Sequence, residues 1–103
     1  MALHSIAIDA VKQVKLDQWS GEVQWPGCTA VQKVLIFQFQ DQLRAIDRFC
    51  PHQGYDLVGS EVSEGGIVKC QWHGLPFSLL DPKGSYLVEK TGDDFVLHYD
   101  DLP

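Results

Sequence analysis

Apolar residues alternate with polar ones, or gather in short β-branched runs, through most of the chain. Ser5-Ile6-Ala7-Ile8, Val34 to Phe39, Leu43 to Ile46, Ile67 to Cys70, Tyr86-Leu87-Val88 and Phe95 to Tyr99 carry this pattern, and each predicts a strand. Turn-forming residues stand between them. Gln40-Asp41-Gln42 predicts a hairpin turn, Lys90 to Asp94 a second, Ser63-Glu64-Gly65-Gly66 a third, and Asp81-Pro82-Lys83-Gly84 a fourth. No amphipathic helix is legible; Ala10 to Gln18 has room for a helical turn or two at most. There is no internal repeat. The reading is an all-β domain, interrupted by an insertion from Asp47 to about Leu80 whose apolar content is low.

With 103 residues, of which 45% are hydrophobic, the chain is expected to form one domain over residues 1–103 with one core. A net charge of −6 opposes phosphate backbones and anionic lipid, so nucleic acid and membrane surfaces are poor partners. No cationic segment followed by an apolar run succeeds Met1, and no apolar stretch is long enough to span a bilayer. A soluble, cytoplasmic, monomeric protein is expected. Cysteine usage agrees with a reducing compartment. Of the three cysteines, two fall in a metal-ligand pattern, and Cys28 is expected as a small buried hydrophobe.

That pattern is Cys50-Pro51-His52 followed, after seventeen intervening residues, by Cys70-Gln71-Trp72-His73. Each pair offers one thiolate and one imidazole, and Gly54 and Gly74 follow where a tight loop must turn. Two cysteines with two histidines suit a tetrahedral zinc ion, or an iron–sulfur cluster with histidines on one iron. Zinc sites usually pair like with like, as C-x₂₋₄-C and H-x₃₋₅-H, so this spacing fits zinc poorly. The order Cys-then-His in both pairs favours the cluster.

The wider segments, Cys50-Pro51-His52-Gln53-Gly54-Tyr55-Asp56-Leu57 and Cys70-Gln71-Trp72-His73-Gly74-Leu75-Pro76-Phe77, resemble the two ligand loops of Rieske-type [2Fe–2S] proteins. The resemblance runs from the Val34–Phe39 strand onward and finds no counterpart for Trp19 to Lys33. It implies the Rieske fold, an antiparallel β-sheet base with a small cluster-binding subdomain at about residues 47–80. It implies one [2Fe–2S] cluster, with Cys50 and Cys70 on the inner iron and His52 and His73 on the outer. The function implied is that of a ferredoxin, an electron carrier between a flavin-dependent reductase and a terminal oxygenase. An acidic carrier suits docking to basic faces of such partners. The alternative is the small Rieske subunit of a larger oxidoreductase such as nitrite reductase. Many such subunits have lost the ligands, and all four are present here.

High-potential Rieske proteins add a Ser and a Tyr hydroxyl to the cluster sulfurs and a disulfide between the loops. At those positions this sequence has Leu75, Phe77, Tyr55 and Trp72, none able to supply the bond in question. Fewer donors leave the cluster electron-rich, so the resemblance implies a potential near the low end of the range, about −150 mV. A short segment around Pro82 implies a reduced cover over the site.

The remaining chemistry-bearing residues read more simply. His4 and His98 lie in strand-like segments without a nearby ligand pattern and are expected as ordinary half-buried histidines. Trp19 and Trp25 are expected as packing aromatics, and Trp72 as a shield between two ligands. Asp47 is expected to end a strand. Asp93-Asp94 and Asp100-Asp101 are expected as solvated turn and tail residues. No nucleophile–base pair, phosphate loop or further iron site is present in the pattern, so the chain is expected to move electrons and to catalyse nothing itself.

Overall fold

The computed structural model describes residues 3–49, 56–69, 76–78 and 85–100. Eight strands run in chain order: β1 (Leu3–Lys15), β2 (Gln18–Val23), β3 (Gln32–Phe39), β4 (Gln42–Asp47), β5 (Ile67–Lys69), β6 (Pro76–Ser78), β7 (Tyr86–Thr91) and β8 (Asp94–Asp100). Six of them, β1-β2-β3-β4-β7-β8, close into a barrel with every neighbouring pair antiparallel. Closure leaves no open sheet edge in the barrel. The other two, β5 and β6, form a separate two-stranded sheet. The described residues are thus all-β, as the alternation predicts.

Strand β3 explains how barrel and insertion meet. Its centre, Val34-Leu35-Ile36-Phe37, is buried at all four positions. A strand covered on both faces reads as a continuous apolar run, which is how this segment appears in the sequence. Val34 and Ile36 point into the barrel, beside Ile8, Val23, Ala45, Val88, Phe95 and Leu97. Leu35 and Phe37 point outward and join Ile46, Leu57 and Val68 in a second cluster. Leu57 and Val68 belong to the insertion, which therefore has an apolar anchor of its own on the outer face of the barrel.

One expectation about the N-terminal third is corrected, and one strand there was not anticipated. Residues 10–15 form no helical turn: β1 continues to Lys15, and β2 begins at Gln18. The pairing of β1 with β2 shifts register between Asp9 and Lys12 and again between Gln13 and Lys15, and Ala10 sits at φ 52°. Each shift breaks the period of two, so the alternation that marks a strand is lost. The β2 strand escapes notice for a different reason. Its buried positions are Gln18, Gly21 and Val23, a set with one apolar side chain.

Cys28 is also corrected, because it is exposed. It lies in the irregular link between β2 and β3, where its N–H donates to Trp25 O at 3.1 Å and its carbonyl accepts from the Gln24 amide. The aromatics behave as expected. Trp19 lies 5.5 Å from Phe95, and Trp25 stands edge-on to Tyr99 at 4.9 Å and 5.7 Å from Tyr86. His4 stacks on Tyr99, and both His4 and His98 are half-buried in strands.

Candidate metal centre

Strands β4 and β7 pair directly, through Leu43↔Val88, Arg44↔Leu87 and Ala45↔Tyr86. Both Cys-His motifs fall in the chain between these two neighbouring strands. Cys50, His52, Cys70 and His73 all lie outside the described residues, as do Tyr55, Trp72, Leu75 and the segment around Pro82. The roots of the two motifs are described.

The first root closes on an antiparallel bridge between Phe49 and Asp56, with Leu57 N–H donating to Arg48 O at 2.7 Å. Phe49 and Asp56, the described residues that flank positions 50–55, are therefore held side by side. Side chains reinforce the closure. Arg48 Nε donates to Asp56 Oδ1 at 2.9 Å and its terminal Nη2 to Oδ2 at 2.8 Å, a bidentate pair that fixes direction as well as distance. Asp56 Oδ1 also accepts from Val58 N–H at 3.0 Å, and Asp47, the last residue of β4, accepts from Phe49 N–H at 2.9 Å. The Arg48 hydrogen bonds hold the Asp56 carboxyl below its ordinary range; partial burial opposes them, and the Val58 N–H and the Arg48 and Lys33 charges add to them. The same pair raises Arg48 further, so both partners are ionised at neutral pH.

The second root is the β5–β6 hairpin. Ile67↔Ser78, Val68↔Phe77 and Lys69↔Pro76 pair in order, so residues 70–75 begin and end on one rung. Cys70 is the first residue past that rung, as Cys50 is the first past the Phe49–Asp56 bridge. The segment between the roots is strapped to the barrel. Leu57 and Val68, each next to a root residue, are 2% and 0% exposed in the same apolar cluster. Val62 bridges Val68, and Ser63 caps Ile67 N–H with its Oγ at 3.2 Å. Gly66 ends the Ser63 turn at φ 79°, packed so closely on Phe39 that a Cβ there would lie 3.0 Å from the ring.

A matched pair of hairpin roots anchored in one cluster can present two short loops on one side of the barrel. The sequence pattern missed the devices that hold them. Arg48 and Asp56 flank the first motif, two residues before Cys50 and four after His52, and that opposite-charge placement was a readable signal. Gln18, described below, carried none. Among the described residues there is no group of three or more His, Cys, Asp or Glu able to hold a metal, and no helix long and apolar enough to cross a membrane.

Comparison with known proteins agrees with this architecture. Residues 4–90 match the model of the Rieske [2Fe-2S] domain, and the chain belongs to that family. The match begins in β1, so it takes in Trp19 to Lys33, which the motif resemblance left without a counterpart. The chain is also similar to the ferredoxin component of the alkene monooxygenase system of Xanthobacter autotrophicus (strain ATCC BAA-1158 / Py2), at 31% identity over 68 residues. That alignment covers 66% of this chain and 55% of the relative, so the chain spans about half the length of the curated protein it matches. No solved structure matches.

Proposed function

We propose that this protein is a one-electron carrier that takes electrons from a flavin-dependent reductase and delivers them to a terminal oxygenase. Family membership supports a [2Fe–2S] centre, and the ferredoxin named above supports an oxygenase as the acceptor. The observation that carries the reading is the pair of closed roots, each followed at once by a Cys and then a His. The donor chemistry fits the cluster: two thiolates for one iron, two neutral imidazoles for the other. As the family resemblance implies, Cys50 and Cys70 would hold the inner iron and His52 and His73 the outer one. Bound there, the cluster supplies a single reversible electron.

The protein's part is to fix the ligands and keep water away. The bidentate Arg48–Asp56 pair and the β5–β6 rungs hold the loop ends, and the Leu57–Val68 cluster keeps both roots on one surface. In this reading the protein carries the electron while its partners do the chemistry, as the ferredoxin named above supports. The net charge of −6 favours basic docking faces on those partners and opposes attachment to anionic lipid. A role as the small subunit of a nitrite reductase is disfavoured by the presence of all four ligands.

Anaerobic purification followed by dithionite titration tests the reading. The expected result is a red-brown protein that takes up one electron per chain and is re-oxidised by an oxygenase on turnover. A colourless, zinc-loaded protein, or a cluster that no flavin reductase can reduce, would refute it.

A further inference from the structure

Gln18, the first residue of β2, reaches the strap between the two Cys-His motifs with both ends of its amide. It is 2% exposed, an unusual position for glutamine unless its donor and acceptor are both used. They are. Its Nε2 donates to Ser60 O at 2.9 Å, and its Oε1 accepts from Gly59 N–H at 2.6 Å. The amide thus pairs with the strap as a neighbouring strand would.

What it grips is a tight turn. Ser60 N–H donates to Leu57 O at 3.0 Å, and Gly59, third of the four residues, sits at φ 82°, the arrangement of a type II turn that demands glycine there. Ser60 is itself 4% exposed. Leu57 opens this turn and adjoins Asp56, the root of the first motif, while the chain beyond Ser60 reaches Val62, which bridges Val68 beside the second root. The turn is therefore the point where a shift would move both roots relative to the barrel and to each other.

We propose that Gln18 is a positioning residue for the iron–sulfur centre, acting through the 57–60 turn to hold the two ligand loops in mutual register. Nothing in the ligand motifs indicates it, since it lies thirty-two positions before Cys50 on a strand of the barrel. The inference rests on the ligand assignment under Proposed function. Its consequence is local. Cutting the clip frees the strap to open without opening the barrel, whose interior cluster contains no strap residue. Ligand loops on a looser strap release iron faster.

The experiment compares holoprotein of the wild type, Gln18→Leu and Gln18→Glu by the rate of cluster bleaching with an excess of iron chelator under anaerobic conditions. Leucine keeps the volume and removes both hydrogen bonds, and the loss of two buried bonds is expected to speed bleaching by about tenfold or more. Amide hydrogen exchange should accelerate at 57–68 and stay unchanged in β3 and β8. Glutamate distinguishes positioning from mere packing. When protonated it offers the same donor and acceptor as glutamine; when ionised it loses the donor and faces the Ser60 carbonyl. Burial raises the pKa of such a carboxyl, so the Gln18→Glu rate should match the wild type at mildly acidic pH and climb towards the leucine value as pH rises. Lys15, Asp17, Glu61 and Glu64 are the charged groups that line the groove beside Gln18.

A leucine variant that bleaches at the wild-type rate overturns the inference. So does exchange that accelerates equally throughout the barrel, or a glutamate variant whose ratio to wild type is independent of pH. A wild type that binds no iron–sulfur cluster overturns the ligand assignment and this inference with it, whereas a coloured wild type with unaltered variants overturns this inference alone.

Discussion

Arg48 and Asp56 are joined by two parallel hydrogen bonds of 2.9 and 2.8 Å, Asp56 pairing with Phe49 in the bridge beside the first Cys-His motif and Arg48 standing one residue before Phe49. Their side chains are 27% and 37% exposed, so water screens the pair and its net worth is on the order of 0.5–1 kcal/mol. Its larger role is directional, because a planar fork on a carboxylate tolerates little rotation.

That relationship sets a pH dependence. Asp56 has its carboxyl pKa lowered in the folded protein, chiefly by hydrogen bonding from Arg48. A lowered acid stabilises the fold above the unfolded carboxylate pKa of about 4, and the contribution is lost as pH falls through the folded value. Asp56→Asn should therefore be less stable than wild type by roughly 0.5–1 kcal/mol at neutral pH. The gap should close below the ordinary carboxylate range. Urea titrations followed by tryptophan fluorescence at several pH values read it; a gap that persists in acid would mean the carboxylate charge is not its source.

Leu57→Ala should be far more costly. Leu57 is 2% exposed against Leu35, Phe37, Ile46 and Val68, and truncation there leaves a cavity worth about 2–5 kcal/mol. The loss should fall on the strap first, with chelator-driven bleaching quickened more than barrel unfolding is advanced. Equal effects on the two would show that the outer cluster is no separate anchor.

Cys28→Ser serves as the control for the ligand assignment. The side chain is exposed in the β2–β3 link, far along the chain from both motifs, so stability should change by less than about 0.5 kcal/mol. Iron content and the visible spectrum should be those of wild type, while Cys50→Ser and Cys70→Ser should abolish both. Iron lost from the Cys28 variant would place that thiol among the ligands.

Leu75→Ser combined with Phe77→Tyr should raise the reduction potential. Each hydroxyl would donate to a sulfur that gains charge on reduction, and a bond of about 1–2 kcal/mol corresponds to roughly 40–90 mV for one electron. Voltammetry that shows no upward movement would reject missing donors as the reason for a low potential.

The strands that the sequence reveals are those with a regular environment: β8, with water on one face, keeps the period of two, and β3, covered on both, becomes an apolar run. The second half of β1 and all of β2 are hidden from it, because bulges interrupt the first after Asp9 and the second buries a glutamine and a glycine. The Cys and His residues proposed as ligands stand out equally in the sequence, since metal chemistry restricts residue type and spacing along the chain, and neither depends on what packs nearby. Which residues hold the ligand loops in place is a different kind of fact. Gln18 meets Gly59 and Ser60 across 41 and 42 positions of sequence, and Leu57 meets Val68 only on the outer wall of a closed barrel. A glutamine amide can satisfy its hydrogen bonds with water anywhere on a surface; only barrel closure, which carries β2 beneath the strap and shuts water out, turns that residue into a clip.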